Sequence, residues 1–433
     1  MLWFTKRVER NPKAPETTQI AVNASATPME RPLFAQPVPT AEPGKFQLKQ
    51  PADAHAPNTI EDLNRQHKLG TIPFPAPRGL PEPILKLSAA LGTDDDKLTK
   101  RLLTNAQLVF HVVGDTGGHV PQSQRLVVDK MLHDFNDETE KDRPSFCFHL
   151  GDVIYSFGEA KYYYDQFYEP YRDYPAPVIA IPGNHDGMIP PESGAATLTA
   201  FLENFCSHEP AVVPESGGLL RTTGIQPGVF YTLEAGPYLR ILCLYSNVLE
   251  DPGVIADDHI GDSQLQYLNY ALDRVVRENY EGALILAHHH PTYAISTRHG
   301  WSHNMAKQID KVCKNIGVWP HAVLSGHSHS YQRFTRQRAA GQEIPYIVCG
   351  NSGHELTRIH HGVALRTPFP LDVGGKDVVT CENYDDRDYG YLRLVVTKDR
   401  LRIEFHPCSD GRDAKTPDDR VTIDLKTHKL VHA

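Results

Sequence analysis

Five short segments of this 433-residue chain share one pattern, an apolar run of strand length followed at once by Gly, Asp, Asn or His. They begin at residues 108, 146, 178, 283 and 322, and they read LVFHVVGDTG, FCFHLGDVIY, VIAIPGNHD, ALILAHHHP and AVLSGHSH. Apolar runs of this length are typical of buried strands. Because open α/β sheets bind ligands at the carboxyl ends of their strands, the polar ends predict one shared site.

From about residue 106 onward, predicted strands alternate with predicted helices. The run DSQLQYLNYALDRV, for example, opens with an Asp/Ser cap and places its leucines on one helical face. Helices are expected at 94–104, 122–136, 159–172, 197–206, 262–278 and 303–316. Two hairpins are expected, at 228–246 and 390–407. The combination predicts an α/β fold of two mixed sheets packed face to face, with helices outside.

The first part of the chain has a different composition. Residues 1–80 are rich in Pro, Ala, Thr and Gln, and pieces such as RPLFAQPVPTAEPG favour an extended, polyproline-like backbone. We expect residues 1–105 to form an N-terminal extension that is partly disordered or draped over the surface, with a small independent module as the alternative. A Thr cap and early acidic residues predict one helix within it, over 59–67.

Charge and cysteine content narrow the class of protein. The formal net charge is −9 and no Lys/Arg-rich run stands out, so binding to nucleic acid or to an anionic membrane surface is not favoured. The seven cysteines form no CxxC pair, which argues against a thiolate zinc site and a disulfide framework. The start, MLWFTKRVER, is too short in apolar residues for a secretory signal. We therefore expect a cytoplasmic protein, with non-standard export as the alternative, and leave its oligomeric state open.

The polar strand ends offer side chains that suit metal ions. An Asp carboxylate can bridge two ions, and a His-x-His pair after a strand places two imidazoles on the same side. Asn oxygen and His nitrogen suit zinc, manganese or ferrous iron, while phenolate and carboxylate suit a ferric ion. Two ions ~3.5–4 Å apart can bind a phosphoryl group and activate a water for in-line attack. The candidate ligands are Asp115, Asp152, Tyr155, Asn184, His185, 288–290, His327 and His329.

Taken together, the motifs GDTG, GDVIY, GNHD, AHHHP and GHSH resemble those of the calcineurin-like metallophosphoesterases, and most of all those of purple acid phosphatases. Most of that superfamily carries a His two residues after the first Asp, where this chain has Gly117. Purple acid phosphatases lack that His and supply a Tyr three residues after the second Asp, as Tyr155 does here. The resemblance covers about 106–407. It implies a four-layer αββα sandwich, with 106–433 as the catalytic domain.

The resemblance also implies a ligand set. One Fe(III) and a second divalent ion (iron, zinc or manganese) would be bound. The first ion would be held by Asp115, Tyr155 and His329, the second by Asn184, His289 and His327, and Asp152 would bridge the two. Because the ligand His of the family precedes a Pro by two residues, Pro291 selects His289, with His288 as the runner-up.

Three further histidines are candidates for handling the substrate. His185 follows the ligand Asn184 and should face the phosphate. His299 matches a family His that contacts phosphate and can protonate the leaving group. His303 is a third candidate, with a surface position at a helix start as the alternative reading.

The expected function is hydrolysis of small phosphomonoesters by attack of a metal-bound hydroxide. The alternatives are a phosphodiesterase or nucleotidase with two divalent ions, a protein phosphatase, and a non-enzymatic metal-binding scaffold. The sequence does not identify which alcohol the phosphomonoester substrate carries.

Overall fold

A computed structural model describes residues 72–118, 121–136, 139–190, 194–362, 364–411 and 414–431. The helix predicted over 59–67 lies outside these residues. The strands are β1 Ile84–Lys86, β2 Gln107–Val113, β3 Cys147–His149, β4 Val178–Ala180, β5 Tyr231–Ala235, β6 Leu239–Cys243, β7 Ala283–Ala287, β8 Ala322–Ser325, β9 Tyr331–Gln337, β10 Glu343–Cys349, β11 Phe369–Leu371, β12 Val378–Asp385, β13 Gly390–Thr397, β14 Arg400–Pro407, β15 Asp419–Asp424 and β16 Lys429–Leu430.

The structure contains two short helices that were not predicted, Leu87–Ala90 and Asn184–Gly187, and five of the six helices predicted within the described residues. They are α1 Leu87–Ala90, α2 Asp95–Asn105, α3 Pro121–Leu132, α4 Asn184–Gly187, α5 Thr199–Phe205, α6 Ser263–Arg277 and α7 His303–Ile316. The region 159–172, predicted as one helix, contains instead a 3₁₀ turn at Ala160–Tyr162 and a π-helical turn at Tyr164–Tyr168. Within that turn the Gln166 side chain pairs with both backbone groups of Tyr155, at 2.8 and 2.7 Å. This tertiary pairing, made at a wide turn of the kind often found at functional sites, accounts for the departure from a regular helix.

The strands form two mixed sheets. The first has nine strands in the order β1-β5-β6-β7-β8-β10-β9-β12-β11, and the second has seven in the order β16-β15-β14-β13-β2-β3-β4. Both predicted hairpins are confirmed as antiparallel pairs, β5 with β6 and β13 with β14. In the second sheet β2, β3 and β4 run parallel, and in the first β7 and β8 do. The polar ends of each parallel set therefore emerge at one edge.

Alternation along the strands builds the layers. In β2, Leu108, Phe110 and Val112 belong to the apolar core between the sheets, together with Ile285 of β7. Val113 points to the other face and joins the core under the helices. This confirms the predicted α/β architecture of two mixed sheets flanked by helices. Among the described residues, no helix combines the length and the apolar character needed to cross a bilayer.

Residues before 106 contribute to these sheets. Strand β1 pairs in parallel with β5, and Leu85, Leu98 and Leu102 are buried in the core between the sheets. Helix α2 starts at the side chain of Asp94, which accepts a hydrogen bond from the Lys97 backbone at 2.7 Å. Residues 84–105 therefore pack with the predicted catalytic domain, and β1 was not predicted because a three-residue strand carries too short a pattern. The extension itself remains a prediction.

Candidate metal centre

Tight backbone turns bring the strand ends together. Asp115, Asp152 and His327 each adopt a left-handed conformation, with φ of 55°, 53° and 66°. Non-glycine residues rarely adopt this conformation, and those that do cluster at functional sites. The Asp115 backbone N–H donates to the carbonyl of Gly151 at 3.0 Å, and the His327 backbone N–H donates to Asp115 Oδ2 at 2.8 Å. Two neighbouring strands of one sheet and one strand of the other therefore meet at this point.

The first cluster of side chains surrounds the phenol oxygen of Tyr155. This oxygen lies 2.9 Å from Asp152 Oδ2, 3.0 Å from Asp115 Oδ1 and 3.3 Å from His329 Nε2. All four side chains are buried. These are the four residues expected from the sequence to hold the first ion and to form the bridge, and the fold brings them together.

The second cluster is centred on the amide oxygen of Asn184. Asn184 Oδ1 lies 3.1 Å from His289 Nε2 and 3.1 Å from His327 Nδ1. His289 Nε2 is also 3.3 Å from Asp152 Oδ2, so Asp152 lies between the two clusters. Asp152, His289 and His327 offer ligand atoms that all lie within 4.8 Å of one another, close enough to hold a metal ion.

The three consecutive histidines 288–290 have different hydrogen-bond partners. His289 Nδ1 is 2.8 Å from the carbonyl of Leu150, so this nitrogen donates and Nε2 is the nitrogen that faces Asn184 and Asp152. His288 Nδ1 is bound to the carbonyl of His290 at 2.7 Å. His290 contacts Ser246 Oγ at 2.7 Å through its own Nδ1. This geometry favours His289 over His288 as the ligand.

The pKa values of the cluster are strongly perturbed. Burial raises the pKa of Asp115 to about 7 and that of the Tyr155 phenol well above its usual value. Burial alone would also raise the pKa of Asp152, but the charges of His289 and His185 and the hydrogen bonds from both residues together outweigh burial and hold it below its usual range. Burial opposes protonation of His289, yet the two carboxylates raise its pKa to about 9. Two buried carboxylates and a phenol need compensating positive charge to be ionised together, and a multivalent cation supplies it. The donor set therefore fits a metal centre.

Gly117 occupies a place with no room for a side chain. A Cβ there would lie 2.3 Å from Gln166 Oε1 and 2.7 Å from the Val153 carbonyl. Gln166 also accepts a hydrogen bond from the backbone N–H of Tyr155. The space that a His at position 117 would need is therefore occupied by the side chain that fixes Tyr155 in place.

Two of the three substrate-handling candidates join the clusters. The His185 backbone N–H donates to Asp152 Oδ1 at 2.9 Å. His299 is buried, neither of its ring nitrogens has a hydrogen-bond partner among the described residues, and its ring centre lies 4.4 Å from that of His327. His303 is exposed and starts α7, where its ring lies 3.6 Å from the ring of Trp301. Its catalytic role remains a prediction that the geometry does not favour.

Three residues at the site were not assigned from the sequence. Glu250 and Asp251 lie beside the second cluster, in a segment whose letters, LEDPG, read only as a loop. His354 stacks on Tyr155 with ring centres 3.7 Å apart and planes 7° apart. Its position after another apolar strand, in VCGNSGHE, was the available signal.

Comparison with known proteins assigns this chain to a family. Residues 108–331, just over half of the chain, match the family model described as calcineurin-like phosphoesterase. A curated Arabidopsis thaliana protein, called probable inactive purple acid phosphatase 9, is 23% identical over 297 residues, which is 62% of this chain and 42% of that protein. The chain thus spans less than half the length of this relative.

Two solved structures are similar over most of the chain. One is described as GAP50, the anchor in the inner membrane complex of Plasmodium, with a TM-score of 0.47, 14% identity, and coverage of 75% of this chain and 91% of that one. The other is a structure of PhoD, with a TM-score of 0.44, 13% identity, and coverage of 75% and 71%.

Proposed function

This chain belongs to the calcineurin-like phosphoesterase family, and we propose that it is a binuclear-metal hydrolase of small phosphomonoesters of the purple acid phosphatase type. The observation that carries the proposal is the convergence of Asp115, Asp152 and His329 on the phenol oxygen of Tyr155, all within 3.3 Å. Phenolate and carboxylate oxygens suit a ferric ion, which distinguishes this type from relatives with two divalent ions.

The residues divide into two ligand groups around a shared carboxylate. Asp115, Tyr155 and His329 would hold Fe(III), while Asn184, His289 and His327 would hold a divalent iron, zinc or manganese ion, with Asp152 shared. When bound, the two ions supply positive charge to the phosphoryl oxygens and increase the acidity of the attacking water.

The chain supplies the proton chemistry around them. Cleavage of a phosphomonoester releases an alcohol, whose oxygen needs a proton as the bond to phosphorus breaks. An imidazole can donate that proton near neutral pH. His299 suits this task because it is buried beside His327 and its ring nitrogens have no hydrogen-bond partner among the described residues. His185, whose backbone N–H donates to Asp152, would contact a phosphoryl oxygen.

A non-catalytic scaffold is the second candidate, because the name of one relative carries the word inactive. Against it, all seven assigned ligand positions are filled by side chains that can bind metal and that converge. A phosphodiesterase or nucleotidase remains an alternative for the same centre with two divalent ions.

The direct test is hydrolysis of p-nitrophenyl phosphate and bis(p-nitrophenyl) phosphate by the metal-loaded full chain. We expect the monoester to have the higher kcat/KM, and we expect Asp152→Asn, which loses the shared charge, to abolish turnover. A higher kcat/KM for the diester would favour the diesterase alternative. Two bound ions without turnover of either ester would favour the scaffold.

The proposal includes a cytoplasmic location and a small phosphoester as the partner. In support, all seven cysteines are free thiols and six of them are buried, as expected in a reducing compartment. Fractionation of cells that express the tagged full chain tests the location.

A further inference from the structure

Two consecutive carboxylates, Glu250 and Asp251, each lie between one ligand of the second cluster and one substrate-handling histidine. Glu250 Oε2 accepts a hydrogen bond from Asn184 Nδ2 at 3.1 Å and lies 3.6 Å from His185 Nε2. Asp251 repeats the arrangement, with Oδ1 3.5 Å from His327 Nε2 and Oδ2 3.6 Å from His299 Nδ1.

Glu250 decides which way the Asn184 amide faces. The amide has a donor side and an acceptor side, and only the oxygen can bind a cation. An ionised carboxylate only accepts hydrogen bonds, so Glu250 selects the NH₂ group and leaves Oδ1 directed at His289 and His327. With the opposite orientation, the amide would present hydrogens to the cation and no lone pair.

Asp251 acts on the other ligand of the same ion. His327 directs Nδ1 at Asn184, and its Nε2, which has no hydrogen-bond partner among the described residues, lies 3.5 Å from Asp251 Oδ1. A carboxylate on the outer nitrogen of a ligating imidazole fixes the tautomer and the ring orientation and makes the inner nitrogen a stronger ligand. The same carboxylate also faces His299. One side chain therefore contacts both a ligand of the second ion and the histidine proposed to protonate the leaving group.

The loop that carries the two carboxylates is fastened on both sides. His290 Nε2 is 2.5 Å from the carbonyl of Leu249, directly before Glu250. After Asp251, Ser302 Oγ donates to the carbonyl of Gly253 at 2.6 Å. The Gly300 backbone N–H donates to Asp251 Oδ1 at 3.1 Å. The two side chains are 15% and 31% exposed, so both are shielded from bulk water to a large degree.

We propose that Glu250 and Asp251 are positioning residues that set the affinity of the second ion and the orientation of His185 and His299. The inference depends on the proposed function, because it requires an ion at Asn184, His289 and His327. Loss of such outer partners typically costs about 10–100-fold in metal affinity. We expect Glu250→Ala and Asp251→Ala to weaken the second ion by that factor and to leave the first ion in place.

The experiment measures zinc affinity of the metal-stripped full chain reloaded with iron, by competition with a chromophoric chelator. Glu250→Gln keeps an oxygen that can accept from Asn184, so it should retain most of the affinity that Glu250→Ala loses. Asp258→Asn, an exposed carboxylate of the same loop, is the matched control and should bind like the wild type. The second readout is the change that each substitution makes in kcat compared with the change it makes in KM, both measured with p-nitrophenyl phosphate.

The outcomes separate this inference from the proposed function. A wild-type chain that binds no second ion would contradict the proposed function itself. A wild-type chain that binds two ions, with Glu250→Ala and Asp251→Ala binding zinc equally tightly, would overturn only the positioning role. Equal weakening of both ions would also overturn it, since that result indicates general damage to the site.

Discussion

The backbone N–H of His327 donates a hydrogen bond to Asp115 Oδ2 at 2.8 Å, joining two residues that are 212 positions apart. Both have left-handed backbone conformations. The bond occupies one carboxylate oxygen and leaves Oδ1 directed at the Tyr155 phenol, 3.0 Å away. A strand-end turn in one sheet thus orients a ligand that comes from the other sheet.

Replacing Asp115 by Asn should change stability in opposite directions with and without metal. In the ion-free protein at pH 8, the ionised Asp115 is buried beside Asp152, and burial has raised its pKa to about 7. The amide of the variant is neutral, so Asp115→Asn should unfold at a higher temperature than the wild type in excess chelator. After metal loading the order should reverse, because the wild type gains binding free energy that the variant has lost. Thermal melts with chelator and with metal check this, and a lower melting temperature of the variant in chelator would contradict it.

His299→Ala should lower kcat by about 10²–10⁴-fold if His299 protonates the leaving group. The loss should be larger for an alkyl phosphate than for p-nitrophenyl phosphate, because p-nitrophenolate leaves without needing a proton. Steady-state kinetics on both esters measure the difference. An equal loss on the two esters would remove the general-acid role from His299.

His303→Ala is the natural comparison for this experiment. His303 is exposed at the start of α7, and surface substitutions usually change stability by less than about 0.5 kcal/mol. We expect its kcat to stay near that of the wild type on both esters. A fall with the same dependence on the leaving group would restore His303 to the catalytic set.

Gly117→Ala should destabilise the protein by about 1–3 kcal/mol through overpacking. The new Cβ would lie 2.3 Å from Gln166 Oε1, and Gln166 holds the backbone of Tyr155. Gly300→Ala is the control, because its Cβ would meet Asp251 Oδ1 at an ordinary 3.8 Å. Urea unfolding of the two variants measures the difference, and equal midpoints would show that Gly117 is not tightly enclosed.

Acid should destabilise the fold through His321, whose ring is bonded to backbone groups of Leu284 and Leu425. Its Nδ1 accepts from the Leu284 N–H at 3.0 Å and its Nε2 donates to the Leu425 carbonyl at 3.1 Å, so the neutral ring is fully bonded. Burial, together with nearby His428, lowers the pKa of His321 to about 4. In the unfolded chain the pKa of this residue is near 6.5. Between about pH 6.5 and pH 4 the unfolded chain therefore binds more protons at His321 than the folded chain does. The free energy of unfolding falls by up to about 3 kcal/mol as the pH decreases over that window.

A variant isolates this contribution. His321→Gln should be less stable than the wild type at pH 7 because the paired hydrogen bonds are disturbed. Its free energy of unfolding should nevertheless fall less between pH 7 and pH 4.5. Urea unfolding at the two pH values measures both quantities. An unchanged pH slope in His321→Gln would show that His321 is not the group responsible.

The layered fold was predictable because its signals are local. Apolar runs of strand length, amphipathic helices such as α6, and two hairpins are written in consecutive letters. The π-helical turn at Tyr164–Tyr168 was not predictable, since it depends on Gln166 reaching the Tyr155 backbone. The short strand β1 was missed because three residues carry too little pattern, although its pairing with β5 is regular.

The site divides in the same way. Ligands that follow a strand and a Gly could be read from the sequence, because a parallel sheet gathers such ends at one edge. The choice of His289 within the triple histidine needed the resemblance, and the hydrogen bond from its Nδ1 to Leu150 now supports it. Glu250 and Asp251 could not be found, because an acidic pair in a loop is ordinarily solvated and only the tertiary fold turns it toward Asn184 and His327.

The most direct test of the account is the metal content and visible spectrum of the full chain purified without chelator, alongside Tyr155→Phe. We predict iron plus a second metal, one of each per chain, with a purple charge-transfer band that disappears in Tyr155→Phe while the protein stays folded. Two divalent ions without the band would contradict the ferric site and favour the diesterase or nucleotidase alternative. A folded wild-type chain that binds no metal under these conditions would contradict the catalytic assignment as a whole.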